Sequence, residues 1–335
     1  MKRIAKWITP KSLHMRIQIF KTNIRLLRNY LYDYKFFNEF SATKDNKRNK
    51  ATHRSELIFY YHKIEKGLAL PNPRVGFGEQ AILYLIDSLE QYVEKYKWDK
   101  TSQITLNTLN LYYEFNLRNN NSLNDLNERL EKLRISLGPK SISNEGGVLD
   151  VKKSEILKNS SIDFNNFANS RHSIRDFSSE EVPVKLIKEA IKIAQKTPSV
   201  CNRQSSIVHI FDNKDKQKQA LSFQNGNAGF GDKASKILLI TTDAEDFFGA
   251  GERNQAFIDG GMFAMSIIYA LHSLGIGSCA LNLALDYRVA DRLKKNMGIE
   301  QKEIPIMMIA VGYLPETLKV AASPRKSLDE ITKIH

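Results

Sequence analysis

The stretch 169–178, NSRHSIRDFS, combines residue types that can hold an anion. Arg171, Ser173 and Arg175 alternate along it, so in an extended segment their side chains point the same way. Two guanidinium groups and one hydroxyl then form a donor surface that suits a phosphate or another planar anion. A solvated basic stretch is the alternative, and this fragment alone does not decide between them.

A second polar segment follows at 197–206, TPSVCNRQSS. Pro198 ends the preceding helical pattern, and Ser199, Asn202 and Gln204 come after it. The amides of Asn202 and Gln204 each carry a donor and an acceptor, so they could address the edge of a flat heterocycle. The same residue types are common in ordinary turns, and that reading also stays open.

Two later segments could complete a ligand site. Gly275 and Gly277 in LGIGSCALN (274–282) would let the backbone approach a ligand closely, or would cap a helix that leads into a strand. Arg325 and Lys326 follow Pro324 near the end of the chain and could close on a phosphate or belong to a solvated tail.

The N-terminal half contains one unusual polar cluster. His62 and Glu65 are three residues apart on a predicted helix and share a face, so metal binding is conceivable. Two ligands are too few for a metal site, and a structural hydrogen bond is the favoured interpretation. Neither Cys201 nor Cys279 has a ligand-like spacing, and the two cysteines fit a reducing compartment. We therefore predict no metal.

Hydrophobic periodicity divides the 335 residues into two parts with different patterns. The first 150 residues read as helices, including 79–98, 101–118 and 122–137. After about residue 160, helical patterns at 184–197 and 254–275 alternate with strand-like runs. Those runs are 206–211, 236–242 and 304–313. This alternation predicts a mixed domain with helices covering a sheet.

The excess positive charge is concentrated at the N-terminus. Residues 1–54 contain 14 Lys and Arg and 3 Asp and Glu, a net charge of +11 (14 − 3) against +13 for the whole chain. Six apolar residues spaced 3, 4, 3, 4 and 3 apart form one helix face: Ile17, Phe20, Ile24, Leu27, Leu31 and Tyr34. Such a helix could lie on an anionic membrane surface or dock on its own protein or a partner. We expect no nucleic-acid partner, because no motif for one accompanies the charge.

Targeting signals give one further expectation. No apolar run reaches the roughly 18 residues of a membrane span, and no signal-peptide pattern follows the first basic residues. We expect a cytoplasmic protein, with peripheral attachment at the inner face of the membrane as an option through residues 1–54.

The order of these segments resembles that of the nitroreductase family of flavin enzymes. R-x-S-x-R-x-F, a helix, P-S-x-x-N-x-Q, a long apolar helix, G-x-G-S and a late basic pair follow one another over residues 160–335. The stretch 62–78, HKIEKGLALPNPRVGFG, is more loosely similar to nitroreductase-like proteins associated with polysaccharide biosynthesis.

The resemblance implies an α+β fold, a three-layer α/β/α sandwich with a mainly antiparallel sheet, and an FMN-binding domain over 159–335. The charge and hydrophobic patterns add an all-helical N-terminal extension, with a basic amphipathic arm and linker over 1–54 and a helical region over 55–158. The resemblance further implies a homodimer, with the long apolar helix in the interface and two FMN sites there.

The resemblance also implies roles for individual residues. Arg171 and Ser173, with His172 between them, would hold the phosphate and ribityl chain, and Arg175 would face the N1–C2=O edge of the ring. The remaining implied cofactor-binding residues are Pro198, Ser199, Asn202, Gln204, Asn227, Ile276, Gly277, Ser278, Arg325 and Lys326. A substrate pocket would include His62, Glu65, Lys66 and Phe230. No side chain is needed as a catalytic acid, base or nucleophile.

The implied activity is an oxidoreductase that passes electrons from NADH or NADPH through FMN to a small organic acceptor by ping-pong kinetics, with a link to polysaccharide biosynthesis. Two other classes stay open: a non-catalytic flavin-binding sensor, and a membrane-surface adaptor that acts through the basic arm.

Overall fold

The computed structural model describes residues 11–42, 49–70, 72–138, 145–149, 162–321, 325 and 327–335. The helices there are α1 (Lys11–Phe40), α2 (Lys50–Leu68), α3 (Glu79–Tyr96), α4 (Lys100–Arg118), α5 (Asn124–Leu137), α6 (Phe164–Ser170), α7 (Val184–Ala194), α8 (Lys214–Leu221), α9 (Gln255–Ser273), α10 (Tyr287–Met297) and α11 (Leu328–Ile331). The strands are β1 (Ser206–Phe211), β2 (Lys236–Asp243), β3 (Ile276–Asn282) and β4 (Glu303–Tyr313).

The four strands form one antiparallel sheet in the order β1-β2-β4-β3. Every residue of β2 is buried, because helices cover both faces of the sheet. Ile237 and Leu239 pack with α8 and α10 on one face, whereas Leu238 and Ile240 pack with α7 and α9 on the other. The predicted three-layer α/β/α sandwich with an antiparallel sheet is thus confirmed.

Some predicted boundaries shift. The helix expected over 184–197 ends at Ala194, before Pro198. Residues 50–54, expected in the linker over 41–54, instead form the first turns of α2, where Asn49 and Thr52 make a capping box. Residues 43–48 of that linker lie outside the described residues.

Helices α2 to α5 share a separate apolar cluster. Leu57 on α2, Leu89 on α3, Leu106 on α4 and Leu130 on α5 are all fully buried in it. This cluster contains no residue of the sheet, so the helical extension has its own core.

Polar and aromatic contacts join α2 to the sandwich. The Ser55 hydroxyl donates to the buried carboxylate of Asp246, and the Asn49 amide donates to Glu245. The ring of Phe59 lies 6.0 Å from the Arg203 guanidinium. The extension therefore touches the segments that flank β1 and β2.

Helix α1 docks on α10 through a polar and aromatic face. Arg25 Nε lies 2.7 Å from Asp286 Oδ2, and the Tyr287 amide donates to Asn29 Oδ1 at 2.8 Å. Tyr32 donates to Asp291 on α10. The predicted apolar face does not make this contact: Ile17, Phe20, Leu27, Leu31 and Tyr34 are exposed and Ile24 is half-buried.

Helix α9 is apolar on nearly every side, as its sequence predicts. Among the described residues it is the one helix that is long and apolar enough to cross a membrane, and 44% of its apolar window is buried within the protein. It packs on α7 and the sheet, the position of a core helix. Phe257, Ile258 and Met262 nevertheless remain exposed on its first half.

The two cores allow a direct test of how the extension is stabilised. Leu89→Ala removes a fully buried side chain from the α2–α5 cluster and should lower the free energy of unfolding by about 2–5 kcal/mol. Leu83→Ala on the same helix is the control, because Leu83 is 51% exposed, and it should change stability by less than about 0.5 kcal/mol. Urea unfolding followed by circular dichroism measures both; equal effects would contradict the assignment of Leu89 to the core.

Candidate functional site

The segment 171–178 runs in extended form beside β3. Ser173 and Ser278 form a parallel bridge, in which the Ile174 amide donates to the Ser278 carbonyl at 2.9 Å. Ile174 and Phe177 are buried in the core, whereas Arg175 is exposed and Arg171 and Ser173 are half-buried. The two apolar residues thus fix the segment on the sheet and leave its arginines toward solvent.

Two glycines allow this close contact. A Cβ at Gly277 would lie 2.9 Å from Leu314 Cδ2 and 3.2 Å from both Ile174 Cγ1 and the Gly312 carbonyl oxygen. A Cβ at Gly312 would lie 2.7 Å from the ring of Phe177. The glycine requirement at 277 is therefore explained by packing of the segment on β3. The flanking Ile276 and Ser278 are buried strand residues.

Gly275 has the role that the alternative interpretation gave it. Its φ is +72°, its amide donates to the His272 carbonyl, and it ends α9 just before β3 begins.

The arginines of the segment have no acidic partner among the described residues. No hydrogen bond or ion pair within that part of the chain engages the Arg171 or Arg175 side chain, although the adjacent Asp176 lies 3.7 Å from Lys233. Burial lowers the pKa of His272, and the Arg171 charge nearby lowers it further. Arg171 thus places a positive charge near the end of α9.

The loop 199–204 is backbone-strained. Cys201, Asn202 and Gln204 have φ of 49°, 54° and 54°, in the left-handed region that costs a non-glycine residue about 1 kcal/mol or more. The Ser199 hydroxyl accepts from the Gln204 amide at 3.0 Å, which helps to fix this shape. Asn202 and Gln204 are exposed, and Pro198 at the start of the loop is exposed as well.

Two buried charged residues, Asp259 and Arg203, attach the loop to the interior of the protein. Asp259 on α9 accepts from the Val200 amide at 3.0 Å. The Arg203 side chain is fully buried, donates to Glu252 at 2.7 Å and to the Val200 carbonyl at 3.2 Å, and lies 4.9 Å from the Phe248 ring. Sequence reasoning missed Arg203 and Asp259; an arginine between Asn202 and Gln204 was the available signal, but its partners are distant in sequence.

The two parts of the candidate site lie far apart in one copy of the chain. The loop is bound to Asp259 near the start of α9, and Ser170, next to Arg171, contacts His272 near its end with 2.9 Å between Ser170 Oγ and His272 Nε2. These positions are 13 residues apart (272 − 259), or roughly 20 Å at 1.5 Å per residue. One chain therefore brings together Arg171, Ser173, Arg175 and β3, but not Asn202 and Gln204.

The other expected cofactor residues are placed as follows. The Asn227 amide nitrogen donates to the Leu221 and Gln224 carbonyls at 3.0 and 2.6 Å, so it stabilises its own loop. His172 and Arg325 are exposed, and Lys326 lies outside the described residues.

The expected substrate-pocket residues are dispersed. Phe230 is buried in the core on the face of the sheet that packs with α8 and α10. His62 Nδ1 lies 3.0 Å from Glu65 Oε2, and the other Glu65 oxygen accepts from the Gly147 amide at 2.9 Å. This is the structural hydrogen bond that the sequence analysis favoured, while Lys66 on the same helix is exposed.

The contact between the extension and the sandwich is pH-sensitive. Burial raises the pKa of the Asp246 carboxyl to about 6, although the hydrogen bond from Ser55 acts in the opposite direction. Because this value exceeds the ordinary 3.8, the folded state binds more protons than the unfolded state between the two values. The contribution of Asp246 to the free energy of unfolding therefore falls as pH rises from about 4 to 6.

Asp246→Asn should remove this contribution. The free energy of unfolding of the variant minus that of the unchanged protein should rise by on the order of 3 kcal/mol between pH 4 and pH 7. Urea unfolding at a series of pH values measures the difference, and Asp329→Asn, which changes an exposed carboxylate on α11, is the control. A difference that does not vary with pH would contradict the raised pKa.

Residues 168–223 and 213–313 match the family model described as the nitroreductase family. These ranges contain the 171–178 segment, the 199–204 loop and all four strands, and the sandwich has a nitroreductase-like fold. A search of curated proteins gave no match.

Solved structures resemble about half of the chain. An FMN-dependent nitroreductase from Clostridium difficile R20291 is 21% identical, covers 48% of this chain and 92% of its own, and has a TM-score of 0.41. A nitroreductase-like protein from Streptococcus mutans is 23% identical over 52% of this chain and 98% of its own, with a TM-score of 0.43. A nitroreductase family protein from Streptococcus pneumoniae is 22% identical over 51% and 100%, also with a TM-score of 0.43.

Proposed function

We propose that this chain is an FMN-dependent oxidoreductase of the nitroreductase family that passes electrons from NADH or NADPH to a small organic acceptor. The observation that carries the proposal is the 171–178 segment, which holds Arg171, Ser173 and Arg175 along β3 without an acidic partner among the described residues. That segment lies within the sequence that matches the family model.

The chemistry of these donors fits FMN. A phosphate needs charge-assisted donors, which Arg171 and the Ser173 hydroxyl can supply from adjacent alternating positions. Arg175 is two residues further along the segment and is exposed, so its guanidinium can reach a different part of the same ligand.

Bound FMN supplies the redox chemistry by accepting hydride from the nicotinamide and passing electrons on to the acceptor. Arg175 would supply a positive charge to the flavin ring, on which negative charge develops during reduction. Because Ile174 and Phe177 are packed into the core, the backbone that carries Arg175 is held on the sheet. A single pocket used in turn by the nicotinamide and the acceptor leads to ping-pong kinetics.

The protein acts as a homodimer in this proposal. Asn202 and Gln204 lie roughly 20 Å from the start of the Arg171 segment along α9, too far for one small heterocycle to touch both within a copy. A second copy packed on the exposed side chains of α9 would allow the 199–204 loop of one copy to complete the site of the other. Phe257, Ile258 and Met262 supply the apolar surface for that contact.

We further propose a role linked to polysaccharide biosynthesis and a cytoplasmic location. The looser similarity of residues 62–78 supports a role linked to polysaccharide biosynthesis. A cytoplasmic location is consistent with the use of NADH or NADPH.

Arg175→Ala tests the site. The variant should bind FMN about 10- to 100-fold more weakly, because a charge-assisted interaction of about 1.5–3 kcal/mol is lost, or should be reduced correspondingly more slowly. Flavin fluorescence titration and stopped-flow bleaching with NADH and NADPH measure the two quantities. Arg118→Ala on α4 is the matched control, since it removes an exposed arginine from the helical extension.

A colourless protein that does not take up added FMN would contradict the cofactor assignment. Stoichiometric FMN without oxidation of either nicotinamide would instead indicate a non-catalytic flavin sensor. Unchanged affinity and reduction rate in Arg175→Ala would remove Arg175 from its role.

Ile258→Glu tests the dimer. A buried carboxylate in the centre of an apolar interface is costly, so the variant should sediment as a monomer and lose most of its FMN. Sedimentation velocity with detection of flavin absorbance measures both. Leu83→Glu on α3, which replaces an aliphatic residue of similar exposure, should leave mass and flavin content unchanged. A flavin-loaded monomer would contradict the two-copy site.

A further inference from the structure

Helix α1 has a large apolar surface that the described protein does not cover. Ten of its apolar or aromatic side chains are exposed, and Tyr34 reaches 68% and Phe20 65% exposure. The full set is Leu13, Met15, Ile17, Ile19, Phe20, Leu26, Leu27, Tyr30, Leu31 and Tyr34. Exposed apolar patches of this extent mark a contact surface for a membrane or another protein.

This surface lies opposite the face that docks on the protein. At 100° per residue, the docking residues Arg25, Asn29 and Tyr32 cluster within about 60° of one another. Phe20 and Leu27 lie on the far side of the same helix. Docking on α10 therefore holds α1 in place and directs its apolar face away from the body.

A basic cavity borders the apolar surface. It has a volume of about 330 Å³ and is lined by Lys21, Ile24, Arg25 and Arg28 from α1 and by Asp286, Tyr287 and Arg288 at the start of α10. Arg25 is paired with Asp286, but Lys21 and Arg28 have no acidic partner among the described residues. The cavity thus offers unneutralised cations beside apolar side chains.

Helix α10 extends this positive surface. Arg288, Arg292 and Lys295 are exposed and spaced four and three residues apart, so they share one face of the helix. Arg288 belongs to the cavity, and the other two continue from it along α10. The charge is local: residues 1–54 carry +11 of the +13 net charge, which leaves +2 for residues 55–335.

We propose that α1 lies flat on an anionic phospholipid surface. Its apolar face enters the boundary of the acyl chains, and headgroup phosphates bind Lys21, Arg28 and Arg288 in the cavity. The basic face of α10 contacts the same surface. Apolar burial and attraction to anionic headgroups together are what an interfacial helix requires.

The combination of features favours a bilayer over other occupants. A nucleic acid would neutralise the basic residues but leave ten apolar side chains in water. A second copy of the chain would cover the apolar face but would bring a second set of the same cations close to the first. An anionic bilayer satisfies both the charge and the apolar surface.

Vesicle sedimentation of the flavin-loaded 335-residue chain tests the proposal. The protein should pellet with vesicles of phosphatidylcholine and phosphatidylglycerol, and not with phosphatidylcholine alone. Binding should fall as salt rises toward about 1 M, where the screening length shrinks to about 3 Å. Equal binding to both vesicle types, or to neither, overturns the proposal.

Two variants separate the contributions. Lys21→Gln/Arg28→Gln/Arg288→Gln should weaken binding to the anionic vesicles roughly 100-fold, from about 1 kcal/mol per basic residue. Phe20→Ser/Leu27→Ser should remove the binding that persists in high salt. The matched control, Lys185→Gln/Lys188→Gln/Lys192→Gln, removes three exposed lysines from α7 and should bind as the unchanged protein does.

Fold and flavin serve as independent readouts. All three variants alter exposed or cavity-lining positions, so circular dichroism and flavin absorbance should not change. Vesicle binding by an unchanged protein that does not take up FMN would count against the proposed function alone. If Phe20→Ser/Leu27→Ser leaves vesicle binding intact but halves the mass in solution, a second copy covers the face and the membrane proposal is wrong. The membrane proposal is also wrong if added duplex DNA displaces the protein from the vesicles and stays bound to the protein at high salt.

Discussion

The buried guanidinium of Arg203 is the contact on which the arrangement of the molecule most depends. Its side chain is fully buried, pairs with Glu252 and lies within 6.0 Å of the rings of Phe59, Phe247 and Phe248. A buried charge is tolerated where partners replace much of its hydration, although Nη1 of Arg203 has no hydrogen-bond partner among the described residues. Since those partners come from α2, from the 199–204 loop itself and from residues 247–252, one side chain joins the helical extension to the sandwich.

This contact also explains how a strained loop is retained. Three residues with positive φ each disfavour the observed shape, and the loop has only short hydrogen-bonded turns of its own. Arg203 and Asp259 attach it at two points to buried elements. The exposed amides of Asn202 and Gln204 are thereby fixed relative to α9, the helix whose apolar side chains we propose as the dimer contact.

The sequence predicted most of the secondary structure because its signals are local. β2 is a continuous run of β-branched and apolar residues, and buried positions on α7 and α9 recur with the period of a helix. The extended 171–178 segment was likewise predictable, since Arg171, Ser173 and Arg175 alternate with buried Ile174. Its pairing with β3 was not, because that depends on two glycines, Gly277 and Gly312, that are distant in sequence and that admit Ile174 and Phe177.

Contacts between distant residues account for what the sequence could not show. The period of the apolar stripe on α1 predicted a helix, but it could not show that Asn29 and Tyr32 would make the docking contact instead. His62 and Glu65 were recognisable as a pair, yet their link to Gly147 required the folded chain. The family resemblance predicted Phe230 for the substrate pocket and Asn227 for the cofactor site. In the folded chain Phe230 is buried in the core and Asn227 forms hydrogen bonds within its own loop.

The charge distribution separates two kinds of anion recognition in one chain. Because residues 55–335 carry a net charge of only +2, no broad positive field draws an anion to the 171–178 segment. Attraction there depends on Arg171 and Arg175, which lack acidic partners among the described residues, and on geometry fixed by β3. On α1 and α10 many cations act together beside an apolar face, and the screening length of about 8 Å in physiological salt confines their effect to what that surface touches. In the two proposals, the first arrangement would select one small ligand by shape, whereas the second would hold an extended anionic surface.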